Sequence, residues 1–171
     1  MNLKDYIREV PDYPKKDVSF KDITPLISNI NAFKFCLDRM SYLINSIEKK
    51  VEYFASIDAR GFIFGSALSD RLNIPNILIR KKGKLPPPVL SQNYNLEYGT
   101  SEIQVSKLTI PKEKNILIID DLIASGGSAE ASSILMESAG NNVLGICVGI
   151  KLSYLNPEKV FKKEIYSVCN Y

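Results

Sequence analysis

Two adjacent carboxylates followed by small residues form the most informative segment of the sequence. Asp120 and Asp121 follow the apolar run 116–119, and the loop after them opens a helix with Ala124, Ser125, Gly126, Gly127 and Ser128. Glycines at a helix N-terminus expose backbone N–H groups and let a phosphate approach, while the helix dipole adds partial positive charge. Two acids at the carboxyl end of a strand accept hydrogen bonds from a vicinal diol or bind hydrated Mg²⁺. The segment therefore predicts a site for a ribose 5-phosphate.

Plainer interpretations of this segment remain open. It differs from a P-loop because the lysine of GxxxxGK[ST] is missing and the acids precede the glycines. A capped helix with two surface acids would have the same residue types. Adjacent residues of a strand also face opposite ways, so either Asp120 or Asp121 is able to face the core instead of a ligand.

Two further segments place basic groups where an anion would lie. Asp58, Ala59 and Arg60 follow the apolar run 51–57. Their backbone amides and the guanidinium predict a grip on a diphosphate at the carboxyl edge of that strand. The second segment is a basic cluster made of Arg80, Lys81, Lys82 and Lys84. The alternatives are a helix cap with a surface arginine for the first segment and a solvated charged face for the second.

The composition excludes several kinds of chemistry. The chain has 171 residues, 45% hydrophobic and 24% charged, which is typical of one globular domain and excludes disordered and fibrous proteins. The net charge of +3 is too small to indicate nucleic-acid binding. Histidine is absent, which removes the usual general base and most transition-metal sites. An odd cysteine count and the lack of a long apolar run predict a cytoplasmic protein without membrane contact.

Helical and strand patterns alternate along the chain and predict an α/β domain over residues 1–171. The predicted strands are 51–57, 76–79, 116–119 and 143–150, and the predicted helices are 33–50, 62–72 and 128–139. Unbroken apolar runs are typical of strands covered on both faces, so we expect a mostly parallel sheet flanked by helices. Two segments, 11–25 and 81–106, do not fit the alternation. A connection as long as 81–106 is typical of a functional flap.

Four segments in order resemble the type I phosphoribosyltransferases. The acidic pair and its loop are similar to the diphosphate-sugar motif of that family, with serine at both threonine positions. Three more segments resemble its adenine-specific members, and these are 19–25, 58–62, and 80–86 with 94–99. The resemblance covers about residues 10–155. It implies the type I fold, with an N-terminal arm and purine loop over about 1–32 and a flap or hood over about 81–106.

The resemblance also implies a reaction and a cofactor. The 5-phosphoribosyl group passes from 5-phospho-α-D-ribose 1-diphosphate to adenine, giving AMP and diphosphate in purine salvage. Mg²⁺ is expected mainly on the substrate diphosphate, with Asp120 or Asp121 contacting it through water. The expected partners are these small molecules, with no nucleic acid and no membrane. Members of the family are commonly homodimers, so a homodimer is expected.

Catalytic roles implied by the resemblance fall on Glu97, Tyr98 and Arg60. Glu97 handles the proton on purine N7, Tyr98 covers the reacting sugar, and Arg60 binds the diphosphate. With no histidine available, a glutamate desolvated by a closing flap is a reasonable general acid and base. Taken alone, Glu97 and Tyr98 are more typical of an ordinary exposed hairpin than of a catalytic site.

Substrate-binding roles are implied for two further groups. Phe20 stacks on the base, while backbone groups of Ser19 and Lys21 match the donor N6 and acceptor N1 of adenine. Phe20 alone is also typical of a core anchor for the N-terminal arm. The sugar and diphosphate contacts are assigned to Asp58, Ala59, Arg80, Lys84, Asp120, Asp121, Ala124, Ser125, Gly126, Gly127 and Ser128.

Two alternative functions remain at this point. One is a phosphoribosyltransferase-like sensor that binds the sugar diphosphate and regulates transcription without catalysis. The other is an enzyme for xanthine, hypoxanthine or orotate, against which the Phe20 segment and residues 96–99 weigh. Three features depart from the family pattern: the prolines 86–88, Lys151 where many relatives have Glu or Asn, and a loosely matching tail over 158–171.

Overall fold

The computed structural model describes residues 1–95 and 100–171. The predicted catalytic residues Glu97 and Tyr98 lie outside these described residues. The described chain forms two compact units, an N-terminal unit, Met1–Arg39, and a C-terminal unit, Met40–Tyr171. The prediction of one functional domain over 1–171 stays a prediction.

The N-terminal unit is built on a short hairpin. Strand β1 (Arg8–Val10) pairs antiparallel with β2 (Phe20–Asp22), and Glu9 lies opposite Lys21. The segment 11–25, expected to be irregular, therefore contains a strand. This strand shows no alternation of apolar and polar residues, because its charged side chains face ionic partners across the hairpin rather than water. After it come helices α1 (Thr24–Ser28) and α2 (Ile30–Asn45).

The C-terminal unit contains a seven-stranded sheet. Its strands are β3 (Tyr53–Ile57), β4 (Asn76–Lys81), β5 (Val89–Asn95), β6 (Thr100–Ser106), β7 (Asn115–Ile123), β8 (Asn142–Lys151) and β9 (Glu164–Asn170). The spatial order is β5-β6-β4-β3-β7-β8-β9. The last five strands in that order run parallel, while β5 and β6 pair antiparallel. The mostly parallel sheet predicted from the apolar runs is confirmed.

Helices α3 (Gly61–Leu72) and α4 (Gly127–Ser138) connect parallel strands of this sheet. The chain leaves α3 through Asn73 in a left-handed conformation, which turns it towards β4. All four residues of the run 116–119 in β7 are fully buried, which explains why this strand shows no polar alternation. The carboxyl ends of parallel strands lie at the same edge of a sheet. The loops after β3, β4 and β7 therefore lie at that edge.

Three parts of the sheet differ from the prediction. The segment 81–106 contains β5 and β6, two strands that pair antiparallel and continue the sheet, and its role as a flap stays a prediction. The loosely matching tail contains β9, a strand whose residues are mostly half-buried and therefore lack a clear apolar period. Strand β7 continues beyond 116–119 through both acids, because Asp120, Leu122 and Ile123 keep the strand in register with β8.

Candidate active site

The acidic pair lies within the last part of β7. Asp121 is buried, with 2% of the residue exposed, and Asp120 is half-buried. The backbone N–H of Asp121 donates a hydrogen bond of 2.9 Å to Oδ1 of Asp120. No donor among the described residues is aligned to hydrogen-bond the buried Oδ2 of Asp121. The pair therefore offers a site that still has acceptor capacity for a ligand hydroxyl or a cation.

The loop after β3 reaches this acidic pair. Arg60 places its Nε 3.1 Å from Oδ2 of Asp121, and 41% of the arginine side chain remains exposed. Gly61 allows this approach, because a Cβ there would lie 2.8 Å from the carbonyl oxygen of Ile119 and 3.0 Å from Oδ1 of Asp120. The start of α3 thus packs directly on the end of β7. The guanidinium of Arg60 and the carboxylates of Asp120 and Asp121 therefore lie next to one another.

Burial raises the pKa values of both carboxyl groups in the acidic pair. It raises the pKa of Asp120 well above the usual value, and the charge of Asp121 raises it further. Burial also raises the pKa of Asp121, although the Arg60 guanidinium opposes this rise. Two carboxylates this close together disfavour double ionisation. Hydroxyl donors or cations from a ligand would relieve that repulsion.

Asp58 and Arg80 form a second ion pair between neighbouring strands. Nε of Arg80 donates to Oδ2 of Asp58 at 3.0 Å, and the N–H of Lys81 donates to the same oxygen at 3.3 Å. The guanidinium also lies 5.6 Å from the centre of the Phe62 ring. Burial alone would raise the pKa of Asp58, but these hydrogen bonds leave it below its usual value. Asp58 therefore holds Arg80 in place. The peptide bond between Asp58 and Ala59 is cis.

The rest of the basic cluster is anchored to β6. Lys82 pairs with Glu102 at 2.7 Å, so its charge is compensated. The N–H of Gly83 donates to Oε1 of Gln104 at 3.2 Å, and Gln104 in turn donates to Glu102 at 2.8 Å. Lys84 is exposed just beyond this turn. The network leaves Arg80 and Lys84 as better candidates for an anion than Lys82.

The small-residue loop after β7 has the geometry of a helix start. Gly126 adopts φ of +89°, and α4 begins at Gly127. The first helical bond runs from the N–H of Glu130 to the carbonyl of Gly126 at 2.9 Å. Helix geometry leaves the preceding N–H groups without an acceptor inside the helix. These groups, with the hydroxyls of Ser125 and Ser128, form the predicted phosphate-binding loop.

Lys21 carries the central contact of the N-terminal hairpin. Its side chain is 4% exposed and lies 2.6 Å from Glu9, and its Nζ donates to Oγ of Ser19 at 3.1 Å. Phe20 is half-buried and packs edge-on against Tyr13, with ring centres 5.3 Å apart. The side chains of Ser19 and Lys21 thus contact each other inside the hairpin, and contact of their backbone groups with a base stays a prediction.

Comparison with known proteins identifies the family. A model of the phosphoribosyl transferase domain matches residues 27–169. A protein named adenine phosphoribosyltransferase from Pelagibacter ubique is 45% identical over 170 residues, which cover 99% of this chain and 96% of that protein. The chain belongs to the adenine phosphoribosyltransferases. The resemblance drawn from the four segments is confirmed.

Solved structures of adenine phosphoribosyltransferases share the fold. The enzyme from Thermoanaerobacter pseudethanolicus superposes with a TM-score of 0.94 at 37% identity, covering 99% of this chain and 98% of that one. The enzyme from Saccharomyces cerevisiae, solved with D-2,5-dideoxy-2,5-imino-altritol 1,6-bisphosphate and adenine, gives 0.92 at 30% identity, covering 98% and 96%. The type I phosphoribosyltransferase fold expected from the sequence is confirmed.

All the predicted sugar and diphosphate residues lie in the C-terminal unit, at the carboxyl ends of β3, β4 and β7 or in the segments that follow these strands. These residues are Asp58, Ala59, Arg60, Arg80, Lys84, Asp120, Asp121, Ala124, Ser125, Gly126, Gly127 and Ser128. The predicted purine residues Ser19, Phe20 and Lys21 belong to the N-terminal hairpin.

The residues that support this site could not be predicted from the sequence. Gln104 and Glu102 anchor the basic turn, and Pro157 and Phe161 back the phosphate-binding loop. The only local signal was the pair of polar residues in the half-buried strand β6.

Among the helices that the structure describes, none combines the length and apolar character needed to cross a bilayer.

Proposed function

We propose that this protein transfers the 5-phosphoribosyl group from 5-phospho-α-D-ribose 1-diphosphate to adenine, giving AMP and diphosphate. The observation that carries the proposal is the meeting of an acidic pair, a phosphate-binding loop and two positioned arginines at one sheet edge. The acids suit a vicinal diol, the loop suits a terminal phosphate, and the arginines suit a diphosphate. Only a sugar that carries all three groups uses the whole site.

The sugar would bind across the carboxyl end of β7. Residues 124–128 surround the 5-phosphate with backbone N–H groups and hydroxyls. Asp120 and Asp121 accept hydrogen bonds from the 2- and 3-hydroxyls of the ribose. Oδ2 of Asp121 is ion-paired with Arg60 but has no aligned hydrogen-bond donor among the described residues, and a hydroxyl donor would complete its hydrogen bonding.

The diphosphate would lie against the loops after β3 and β4. Arg60 and Arg80 stabilise the negative charge that grows on the leaving diphosphate as the C1–O bond breaks. Asp58 acts on this step through Arg80, whose guanidinium it holds at 3.0 Å. Backbone amides at Ala59 and the exposed Lys84 complete the contacts. The site mainly positions the reactants and stabilises charge, and no covalent protein nucleophile is needed.

The base would be read by the N-terminal hairpin. Phe20 stacks on adenine, and backbone groups of Ser19 and Lys21 pair with N6 and N1. Purine N9 attacks C1 from the face opposite the diphosphate, which inverts that carbon. We assign proton transfer at N7 to Glu97 and cover of the sugar to Tyr98, as predicted from the sequence.

Mg²⁺ is the proposed cofactor, and the donor set fits it. The described residues contain no cluster of three or more acidic, histidine or cysteine side chains that would make a complete protein site. Mg²⁺ commonly binds through one or two carboxylates together with substrate phosphates. Asp120 or Asp121 would contact the ion through water, while the diphosphate supplies most ligands. When bound, the ion neutralises diphosphate charge.

We further propose that the protein acts in purine salvage in the cytoplasm as a homodimer, with residues 1–171 as one functional domain. The odd number of cysteines supports a reducing compartment. Exposed apolar side chains on neighbouring elements, Ile63 on α3 and Leu78 on β4, are 40% and 41% exposed and support an interface. Sedimentation equilibrium would test the dimer directly.

The function is tested by incubating the protein with adenine, 5-phospho-α-D-ribose 1-diphosphate and Mg²⁺, then detecting AMP and diphosphate. Equal amounts of both products are expected from the wild type. Asp121→Asn should lose nearly all turnover, whereas Asp70→Asn on the exposed surface of α3 should not. A wild type that binds the sugar diphosphate without forming AMP would refute the proposal and favour the sensor function.

A further inference from the structure

The phosphate-binding loop is backed by a segment that the proposed reaction does not use. This backing segment, residues 153–161, contains two 3₁₀ turns, Ser153–Leu155 and Pro157–Lys159, between β8 and β9. A Cβ on Gly126 would lie 2.9 Å from the carbonyl oxygen of Pro157 and 3.4 Å from Cβ of Phe161. Phe161 is 1% exposed. The backing segment therefore lies in direct contact with the loop and leaves it little room to shift.

An ion pair holds the backing segment to the sheet. Lys151 ends β8 and lies opposite Ile123, the last residue of β7. Its Nζ pairs with the carboxylate of Glu158, the residue after Pro157. The hydrogen bond from Lys151 lowers the pKa of Glu158. The carbonyl of Glu158 also accepts a hydrogen bond of 3.2 Å from Nζ of Lys162.

We propose that the Lys151–Glu158 pair is a positioning device for the phosphate-binding loop. By fixing Glu158, the pair fixes the adjacent carbonyl of Pro157 against Gly126 and so keeps the loop N–H groups aimed at the 5-phosphate. Lys151 then acts through Glu158 and does not contact the phosphate. This inference rests on the proposed function, because it assigns the 5-phosphate to that loop.

The two possible roles of Lys151 predict opposite effects of one substitution. If the pair positions the loop, Lys151→Met and Glu158→Gln both weaken binding of the 5-phosphate. If Lys151 instead contacts the phosphate, Glu158→Gln releases its charge and strengthens binding. A cavity of about 340 Å³ adjoins the pair and is also lined by Glu164. Because the pair is not packed inside the core, these substitutions should leave the fold intact.

The experiment compares wild type, Lys151→Met, Glu158→Gln and the charge-swapped double variant Lys151→Glu/Glu158→Lys. Glu164→Gln, which removes a charge from the same cavity, is the matched control. Steady-state kinetics give KM for each substrate, and calorimetry gives Kd for ribose 5-phosphate without any turnover. Thermal unfolding reports stability separately.

Both single variants should raise KM for the sugar diphosphate and Kd for ribose 5-phosphate about two- to fivefold, as expected for a partly exposed ion pair. KM for adenine should stay constant, and the charge swap should restore much of the loss. Tighter binding by Glu158→Gln, unchanged Kd in both single variants, or no restoration by the swap would overturn the inference. Since calorimetry needs no reaction, its result stands even if AMP formation fails.

Discussion

Arg60 and Asp121 form an ion pair at the carboxyl edge of the sheet, with Nε 3.1 Å from Oδ2. The acid side chain is 2% exposed, whereas the arginine side chain is 41% exposed. Arg60 therefore compensates a buried charge while a large part of its own side chain stays exposed. The contact couples the residue proposed to bind diphosphate to a residue proposed to bind the ribose diol.

Removing Arg60 should affect catalysis more than stability. Arg60→Met is expected to lower kcat/KM for the sugar diphosphate about 100-fold or more, because a positioned cation facing the leaving group is lost. Arg71→Met, at the other end of α3, is the matched control. In a double-mutant cycle, adding Asp121→Asn should cost much less than it does alone, because the two residues act as a unit. Additive losses in kcat/KM would contradict the coupling.

The acidic pair should make stability depend on pH. The pKa of Asp120 is raised by burial and by Asp121, so between its unfolded value near 3.9 and its folded value the native state holds more protons. Stability is then lost as the pH rises through that window. Asp120→Asn removes this cost and should raise Tm by a few degrees at pH 8, with little gain at pH 4. Melting curves across this range, with Asp70→Asn as control, measure it, and a gain independent of pH would contradict the assignment.

The buried ammonium of Lys21 should tune adenine binding through the hairpin. Lys21→Met removes its contacts to Glu9 and Ser19 and should raise KM for adenine about tenfold, a loss of about 1.4 kcal/mol. Lys21→Arg keeps the charge and should retain most of the affinity. KM for the sugar diphosphate should change little in either variant. Lys16→Met is the matched control on the exposed connection between β1 and β2, and equal KM increases for both substrates in Lys21→Met would contradict a role specific to the base.

Two glycines with the same backbone conformation give a controlled test of the phosphate-binding loop. Gly126 and Gly140 have φ of +89° and +87°, but only Gly126 has backbone within 4 Å of an added Cβ. Alanine at either position costs about 1–2 kcal/mol for the left-handed conformation. Gly126→Ala should lower Tm further and raise KM for the sugar diphosphate. Equal effects of the two variants on Tm and KM would contradict close packing behind the loop.

The sequence predicts those elements whose residue pattern is complete within one short segment. The buried run 116–119 identifies β7, and the residues after it predict a phosphate-binding loop. Strand β9 could not be found this way, because its half-buried residues show no apolar period. The antiparallel strands β5 and β6 were likewise hidden by polar residues such as Gln104, which is buried but hydrogen-bonded.

Contacts between distant residues explain the rest of the difference. Asp58 and Arg80 are separated by 22 positions, and no spacing rule indicates that the acid holds the arginine rather than the substrate. The backing of Gly126 by Pro157 depends in the same way on how the chain returns between β8 and β9. Glu97 and Tyr98 stay predictions from the sequence.

The choice of base is the property of this protein that most sharply separates an adenine enzyme from its alternatives. Initial rates would be measured with 5-phospho-α-D-ribose 1-diphosphate and Mg²⁺, offering adenine, hypoxanthine, guanine and xanthine in separate reactions. Backbone groups that pair with a donor N6 and an acceptor N1 cannot pair with a 6-oxopurine, so we expect AMP from adenine and at least about 100-fold lower kcat/KM for the other bases. Efficient formation of IMP, GMP or XMP would contradict it.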